Sequence, residues 1–201
     1  MLRIFRWTAI GLAAALIAGW AVLWLRPGSV SEAVRSAGMQ VGGPFSLLDQ
    51  SGNPVTDASF RGRWMLVYFG YTSCPDICPT ELQTISTAIE SLGKQATQVV
   101  PVFITVDPER DTPAHLAEYV KLFDDRLVGL TGTPQQIAAV ARAYRVYYAK
   151  VTSKDSAAYF MDHSSFIYLM GPDGTSRAVL RQGISPPDLA ETIRRRLPGA
   201  G

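Results

Sequence analysis

Two cysteines, Cys74 and Cys78, stand four positions apart, and the chain has no others. A pair so close in sequence cannot staple a whole fold. Its chemistry is local: a redox couple or part of a metal site. The stretch reads Gly70-Tyr71-Thr72-Ser73-Cys74-Pro75-Asp76-Ile77-Cys78-Pro79. It leaves an apolar run and enters a helical pattern. Both sulfurs therefore fall near a helix N-terminus, where the dipole and free N–H groups favour thiolate. A thiolate is both the better nucleophile and the species that ligates metals.

Disulfide-exchange enzymes of the thioredoxin type use C-x-x-C, whereas this chain has C-x-x-x-C. The extra residue, with Pro75 stiffening the loop, lets two sulfurs converge on an ion about 2.2–2.3 Å from each. It does not forbid a disulfide. Two thiolates are soft ligands and suit Cu(I) or Zn(II) better than Mg or Ca. Structural zinc wants four protein ligands, which would call on both histidines of the chain, His115 and His163. Cu(I) accepts three, and His163 can be the third. His115, near a helix start, reads as an ordinary surface histidine. His163 lies directly before an apolar strand, where a lone histidine is more often structural. Beside it, Asp162 is a plain loop carboxylate or an orienting partner, and Met161 a packing residue or a thioether ligand.

The surrounding pattern supplies the scaffold. Strands are expected at Phe45–Leu48 and, densely apolar, at Trp64–Tyr71. A helix follows from Pro79 to about Leu92, with Leu82, Ile85, Ile89 and Leu92 on one face and Gly93 as its stop. Val99–Val106 is the next buried strand, in which Pro101 suggests a bulge or a start near Val102. Thr112-Pro113, Thr133-Pro134 and Ser185-Pro186 each open a helix with a capping hydroxyl and proline at the first position. These run to about Phe123, Tyr144 and Leu197. Strands at Leu127–Leu130, Val146–Val151, Ser165–Met170 and Arg177–Arg181 complete the set, the last two joined through Pro172-Asp173-Gly174. The order predicts an α/β domain: a thioredoxin-like mixed sheet flanked by helices.

The apolar share is 47 % over 201 residues and the net charge is +2, without a basic stripe, so nucleic-acid binding is not indicated. Trp7 to Leu25 carries no charge and spans about 19 residues, roughly 28 Å as a helix, near a bilayer's hydrocarbon thickness. Residues 1–26 are expected to be a single transmembrane anchor rather than a cleaved signal. Arg3 and Arg6 place its N-terminal side in the cytoplasm and the globular part in a periplasm-like space. Residues 27–42 read as a flexible tether reaching on the order of 20–25 Å, and 43–201 as the metal-binding domain.

Three stretches, YFGYTSCPDICPTEL (68–82), ITVDPERDTPAHLAEYVKLF (104–123) and DHSSFIYLMGPDG (162–174), resemble the SCO/SenC family of copper chaperones. With the anchor they cover most of the chain in the family's order. The resemblance implies a thioredoxin-like domain holding copper, as Cu(I) with Cu(II) left open, through Cys74, Cys78 and His163. It implies assembly of the dinuclear copper centre of cytochrome c oxidase subunit II, with a copper donor and a thiol reductant as further partners. It also places the anchor in the inner, cytoplasmic membrane. A carrier needs no turnover chemistry. The competing expectation is an enzyme, a membrane-tethered thiol–disulfide oxidoreductase in which Cys74 attacks and Cys78 resolves. The C-x-x-x-C spacing, His163 and the lack of a proline near His163 before Pro172 weigh against it. The acids of Val106-Asp107-Pro108-Glu109-Arg110-Asp111-Thr112-Pro113 read either as a partner-docking surface or as a turn with a helix cap.

Overall fold

The structure, a computed structural model, describes residues 41–152 and 159–197. The expected anchor and all but the last two residues of the expected tether lie outside them. Among the described residues no helix is long and apolar enough to cross a membrane. Val41 already packs on the core, and the Gly42 N–H donates to the Ala143 carbonyl at 3.0 Å.

Among the described residues nine strands form: β1 (Ser46–Asp49), β2 (Pro54–Thr56), β3 (Trp64–Gly70), β4 (Val99–Thr105), β5 (Val128–Thr131), β6 (Tyr148–Thr152), β7 (Tyr159–His163), β8 (Phe166–Met170) and β9 (Ser176–Arg181). Four α-helices accompany them: α1 (Ile77–Ser91), α2 (Pro113–Val120), α3 (Pro134–Ala143) and α4 (Pro186–Arg194). Seven strands make one sheet in the order β2-β1-β5-β4-β3-β8-β9, and β6 pairs β7 in a separate two-stranded sheet. β3, β4 and β5 run parallel; β1 and β8 join them antiparallel. This is the thioredoxin-like mixed sheet that the pattern predicted.

Every residue of β3 and β4 is buried, as continuous apolar runs in a sheet covered on both faces must be. Neighbours on β3 show the two faces. Tyr68 points to Phe103 and to Cys78 of α1, while Phe69 points to Tyr144 at the end of α3 and to Tyr168 of β8. Ring pairs of this kind contribute about 0.5–1.5 kcal/mol beyond the area they bury.

The predicted caps form. Thr112 Oγ1 accepts the His115 N–H, Thr133 Oγ1 the Gln136 N–H and Ser185 Oγ the Asp188 N–H. Each such cap is worth about 1 kcal/mol.

Three expectations are corrected. Pro101 neither bulges nor starts β4: it pairs with Leu66 inside the strand, and pairing with β5 begins only at Val102. At Pro101 the strand therefore has a neighbour on one side alone, so the missing N–H breaks no ladder. Helix α1 starts at Ile77, not Pro79, so that Cys78 lies in its first turn. Proline is harmless there because the first N–H groups of a helix have no intrahelical acceptor. Finally, Asp162 does not sit in a loop; it lies in β7, a strand paired in register with β6, which His163 ends just before β8.

Candidate functional site

The cysteine loop joins the end of β3 to α1. Asp76 stands at the N-cap of α1 but makes no side-chain cap bond. Cys74 supplies one instead: its Sγ accepts the Cys78 N–H at 3.4 Å. A sulfur thus occupies the anion position of a helix N-terminus, where partial positive charge favours its ionised form. Cys78 is fully buried and Cys74 half-exposed, and the two are free thiols.

Gly70, the last residue of β3, makes room for the buried sulfur. A methyl group there would lie 2.9 Å from Cys78 Sγ and 2.9 Å from Phe103. Only a residue without Cβ allows the sulfur to seat against the strand.

His163 arrives from the β6–β7 hairpin. Its Nδ1 lies 3.1 Å from the Ser164 carbonyl oxygen. A carbonyl only accepts, so Nδ1 carries the proton and donates. Nε2 then faces Cys78 Sγ, 3.5 Å away. The Tyr68 hydroxyl donates to the same sulfur at 3.8 Å, and the Tyr71 ring stands edge-on to the imidazole at 5.9 Å between centroids.

The two sulfurs have opposite acidities. Hydrogen bonding from the Cys78 thiol does most to pull Cys74 far below the ordinary thiol range; His163 and the N–H groups of Cys78 and Asp76 add to it, and burial opposes it. Cys78 is pushed up, by its bond to Cys74 and by burial. The first proton of the dithiol therefore leaves Cys74, and Cys78 keeps its own until a stronger acid, such as a metal ion, displaces it.

Among the described residues no three His, Cys, Asp or Glu side chains are already closed around an ion position. Cys74 and His163 both meet the buried Cys78, and Cys74 and His163 border one cleft. The cleft, about 290 Å³, is bordered by Cys74, Ile77, Phe160, Met161 and His163, among others. Its donor set of two sulfurs and one imidazole nitrogen fits a soft ion of low coordination number.

Of the other sequence candidates, Met161 and Asp162 border the same cleft and His115 does not. His115 is exposed, with Nδ1 3.2 Å from the Arg110 carbonyl, and stands apart from the cleft. Met161 is buried, as a packing residue should be. Asp162 is exposed, and the group that orients His163 is the Ser164 carbonyl instead. Of the acids at 107–111, Asp107 and Asp111 face inward and only Glu109 is exposed, so a docking surface built from all three is ruled out.

Asp111 was not recognised from sequence as part of the site. Wholly buried, its Oδ1 accepts the Thr72 hydroxyl at 2.6 Å, and Oδ2 accepts the Thr72 N–H at 3.0 Å and the Thr105 hydroxyl at 2.6 Å. It ties the cysteine loop to β4 two residues before Cys74. The available signal was a carboxylate following a strand end that carries Thr105, in a string otherwise legible as a turn and cap.

The SCO1/SenC family model matches residues 34–198. The chain belongs to the SCO1/SenC family. Among curated SCO proteins, the mitochondrial protein SCO1 homolog 1 of Arabidopsis thaliana is 49 % identical over 146 residues, covering 72 % of this chain and 43 % of that protein. The SCO1/SenC chain thus spans less than half the length of that relative. The copper-bound structure of Bradyrhizobium japonicum ScoI superposes with a TM-score of 0.72 at 47 % identity, covering 78 % of this chain and 99 % of that one. The structure of BsSco, described with a disulfide switch and as a member of the Sco family of cytochrome c oxidase assembly proteins, gives a TM-score of 0.59 at 25 % identity, covering 77 % and 92 %.

Proposed function

We propose that this SCO1/SenC chain carries one Cu(I) ion on Cys74, Cys78 and His163 and delivers it to cytochrome c oxidase during assembly of the dinuclear copper centre in subunit II. The observation that carries the reading is Nε2 of His163 facing the buried sulfur of Cys78 at 3.5 Å. Disulfide exchange has no use for such a nitrogen; a three-coordinate soft ion does. The copper bound by ScoI supports the same choice of metal.

Copper is cargo here. Loading displaces the remaining thiol protons, and two thiolates with a neutral imidazole leave Cu(I) a site of net charge −1. Affinity should therefore fall as pH falls. Cys74 is the more exposed sulfur, so an incoming thiolate of the acceptor reaches the ion from that side, while Cys78 and His163 hold it from below. Residues 1–26 anchor the domain in the inner membrane, residues 27–42 tether it, and the domain faces the periplasm. A dithiol there tends to oxidise, so a thiol reductant is a necessary partner alongside the copper donor.

A second reading rests on a different observation. An ionised, half-exposed Cys74 beside a protonated, buried Cys78 is also an attacking and resolving pair, as a thiol–disulfide oxidoreductase needs. The disulfide switch named for BsSco fits it. The two are separated in cells lacking this protein and complemented with His163→Ala at matched expression and low copper. Loss of oxidase copper supports the carrier, since the dithiol is intact. Full restoration supports the reductase.

A further inference from the structure

His163 is carried by a hairpin that stands outside the seven-stranded sheet. Something other than that sheet's ladder must hold β6–β7 over the cysteine loop. At the His163 end, the Ser164 N–H donates to the Tyr147 carbonyl at 2.9 Å and the Tyr147 N–H to Ser164 Oγ at 3.2 Å, but these bonds only join the hairpin's own two arms. At the other end the β4–α2 connection holds it through the exposed Lys150–Glu109 pair at 2.7 Å, with Lys150 Nζ 3.9 Å from the centre of the Tyr159 ring, and through a more buried cluster centred on Arg110.

Its guanidinium carbon lies 3.9 Å from the centre of the Tyr159 ring and 5.7 Å from that of Tyr71. Arg110 Nη1 donates to the Tyr159 carbonyl at 3.2 Å, and Nε is paired with Asp107. The Tyr159 hydroxyl closes the circuit by donating to the other Asp107 oxygen at 2.9 Å. Arg110 Nη2 is buried with no acceptor among the described residues, so this nitrogen is held against ring faces and not in a polar pairing. Tyr71, the more distant of the two rings, is also a ring that stands edge-on to His163.

The packing of the hairpin makes this hold consequential. A second cleft, of about 320 Å³, lies behind it between the β4–α2 connection and β6, and Met161 borders both that cleft and the one in front. Met161 is buried against the core between the two clefts and Tyr148 and Tyr159 pack partly on it, so Arg110 acts beside these contacts in fixing where β7 ends. A bare surface ion pair would contribute little. This one is not bare: Asp107 is 3 % exposed, and the cation lies over an aromatic face, an arrangement worth more once desolvated.

We propose that Arg110, stacked on Tyr159, within reach of Tyr71 and braced by Asp107, is a positioning residue for His163: it fixes the hairpin so that Nε2 faces Cys78. The positional statement stands on geometry alone. Its consequence for copper rests on the function proposed above.

The test uses the reduced, metal-free full chain with Arg110→Met, which keeps an unbranched apolar stem, and Arg110→Lys, which keeps the charge but not the planar fork. In Arg110→Met the ring protons of His163 should lose the shift imposed by Tyr71 and Tyr68. The Ser164 amide should exchange at least tenfold faster while amides of β3 and β4 keep their protection. Arg110→Lys should fall between. Unchanged His163 resonances, or a loss of protection spread evenly over the sheet, would overturn the proposal.

The copper arm is a double-mutant cycle. Arg110→Met should weaken Cu(I) binding roughly tenfold, as loss of an orienting partner does, and should add nothing in a His163→Ala background. Equal losses in both backgrounds would show that Arg110 does not act through His163. If His163→Ala alone left the affinity intact, the copper reading would fail, and the metal-free measurements would still decide the role of Arg110.

Discussion

Replacing Asp111 should loosen the cysteine loop, and its hydrogen bonds allow the size to be worked out. One buried carboxylate receives three donors: the Thr72 N–H, the Thr72 hydroxyl and the Thr105 hydroxyl, two of them at 2.6 Å. Bonds to an ionised group contribute about 1.5–3 kcal/mol each, and a buried donor left without its acceptor costs about 1–3 kcal/mol. The three share one acceptor and are not additive. Asp111→Ala should therefore lower the unfolding free energy by about 4 kcal/mol. Asp111→Asn keeps one carbonyl oxygen, which can still serve both donors of Oδ2 while the Thr72 hydroxyl turns to accept from the new amide. The loss is then mainly the charge-assisted part, about 2 kcal/mol. Urea unfolding of the reduced, metal-free chain at pH 7 measures both, with an unchanged slope showing that the two states stay comparable. The Asn variant should also bind Cu(I) more weakly, because Thr72 sits two residues before Cys74. An Asp111→Ala variant within about 1 kcal/mol of the parent would show that the carboxylate does not brace the loop.

Four further outcomes follow from the site. Cys74→Ser, Cys78→Ser and His163→Ala should each weaken Cu(I) binding by orders of magnitude in competition with a chelator, whereas His115→Ala should leave it unchanged. Gly70→Ala should push Cys78 Sγ off the strand end, costing about 1–3 kcal/mol of stability by overpacking and weakening copper binding as well; a neutral variant would contradict the close approach seen there. Because folding lowers the Cys74 pKa, the thiolate contributes stability at high pH, and this contribution is lost progressively as pH falls from the ordinary thiol range, about 8.5, toward the folded value. Iodoacetamide should accordingly modify Cys74 first, at a rate nearly independent of pH between about 5 and 7, and Cys78→Ala should restore an ordinary pH dependence by removing the principal cause of the shift. Oxidation should join Cys74 to Cys78 and abolish Cu(I) loading, with a mass loss of about two protons and full recovery on reduction.

Where the chemistry was local, it could be read from sequence. The hydroxyl-proline openings of α2, α3 and α4 are caps made within four residues, so their motifs sufficed. The buried runs of β3 and β4 announced the centre of the sheet. The start of α1 was misjudged by two residues because proline was assigned to the first helical position, although the whole first turn tolerates it. β7 was missed for another reason. Its ladder is with β6 alone, and Phe160 in it is exposed while Met161 is buried, so five residues offered no apolar run. The parts of the site that remained unread depend on distant partners. Asp111 turns inward because Thr72 and Thr105 await it, and Arg110 because two tyrosines, 39 and 49 positions away in opposite directions along the chain, supply its ring faces. No window around 107–113 contains that information.

The central claim is a three-ligand copper site, and an anaerobic Cu(I) titration of the reduced chain with X-ray absorption at the copper edge tests it most directly. The account predicts one Cu(I) per chain with two sulfurs at about 2.2–2.3 Å and one nitrogen at about 2.0 Å, the nitrogen alone disappearing in His163→Ala. Stoichiometric zinc without copper uptake, or a copper spectrum that His163→Ala leaves unaltered, would contradict it.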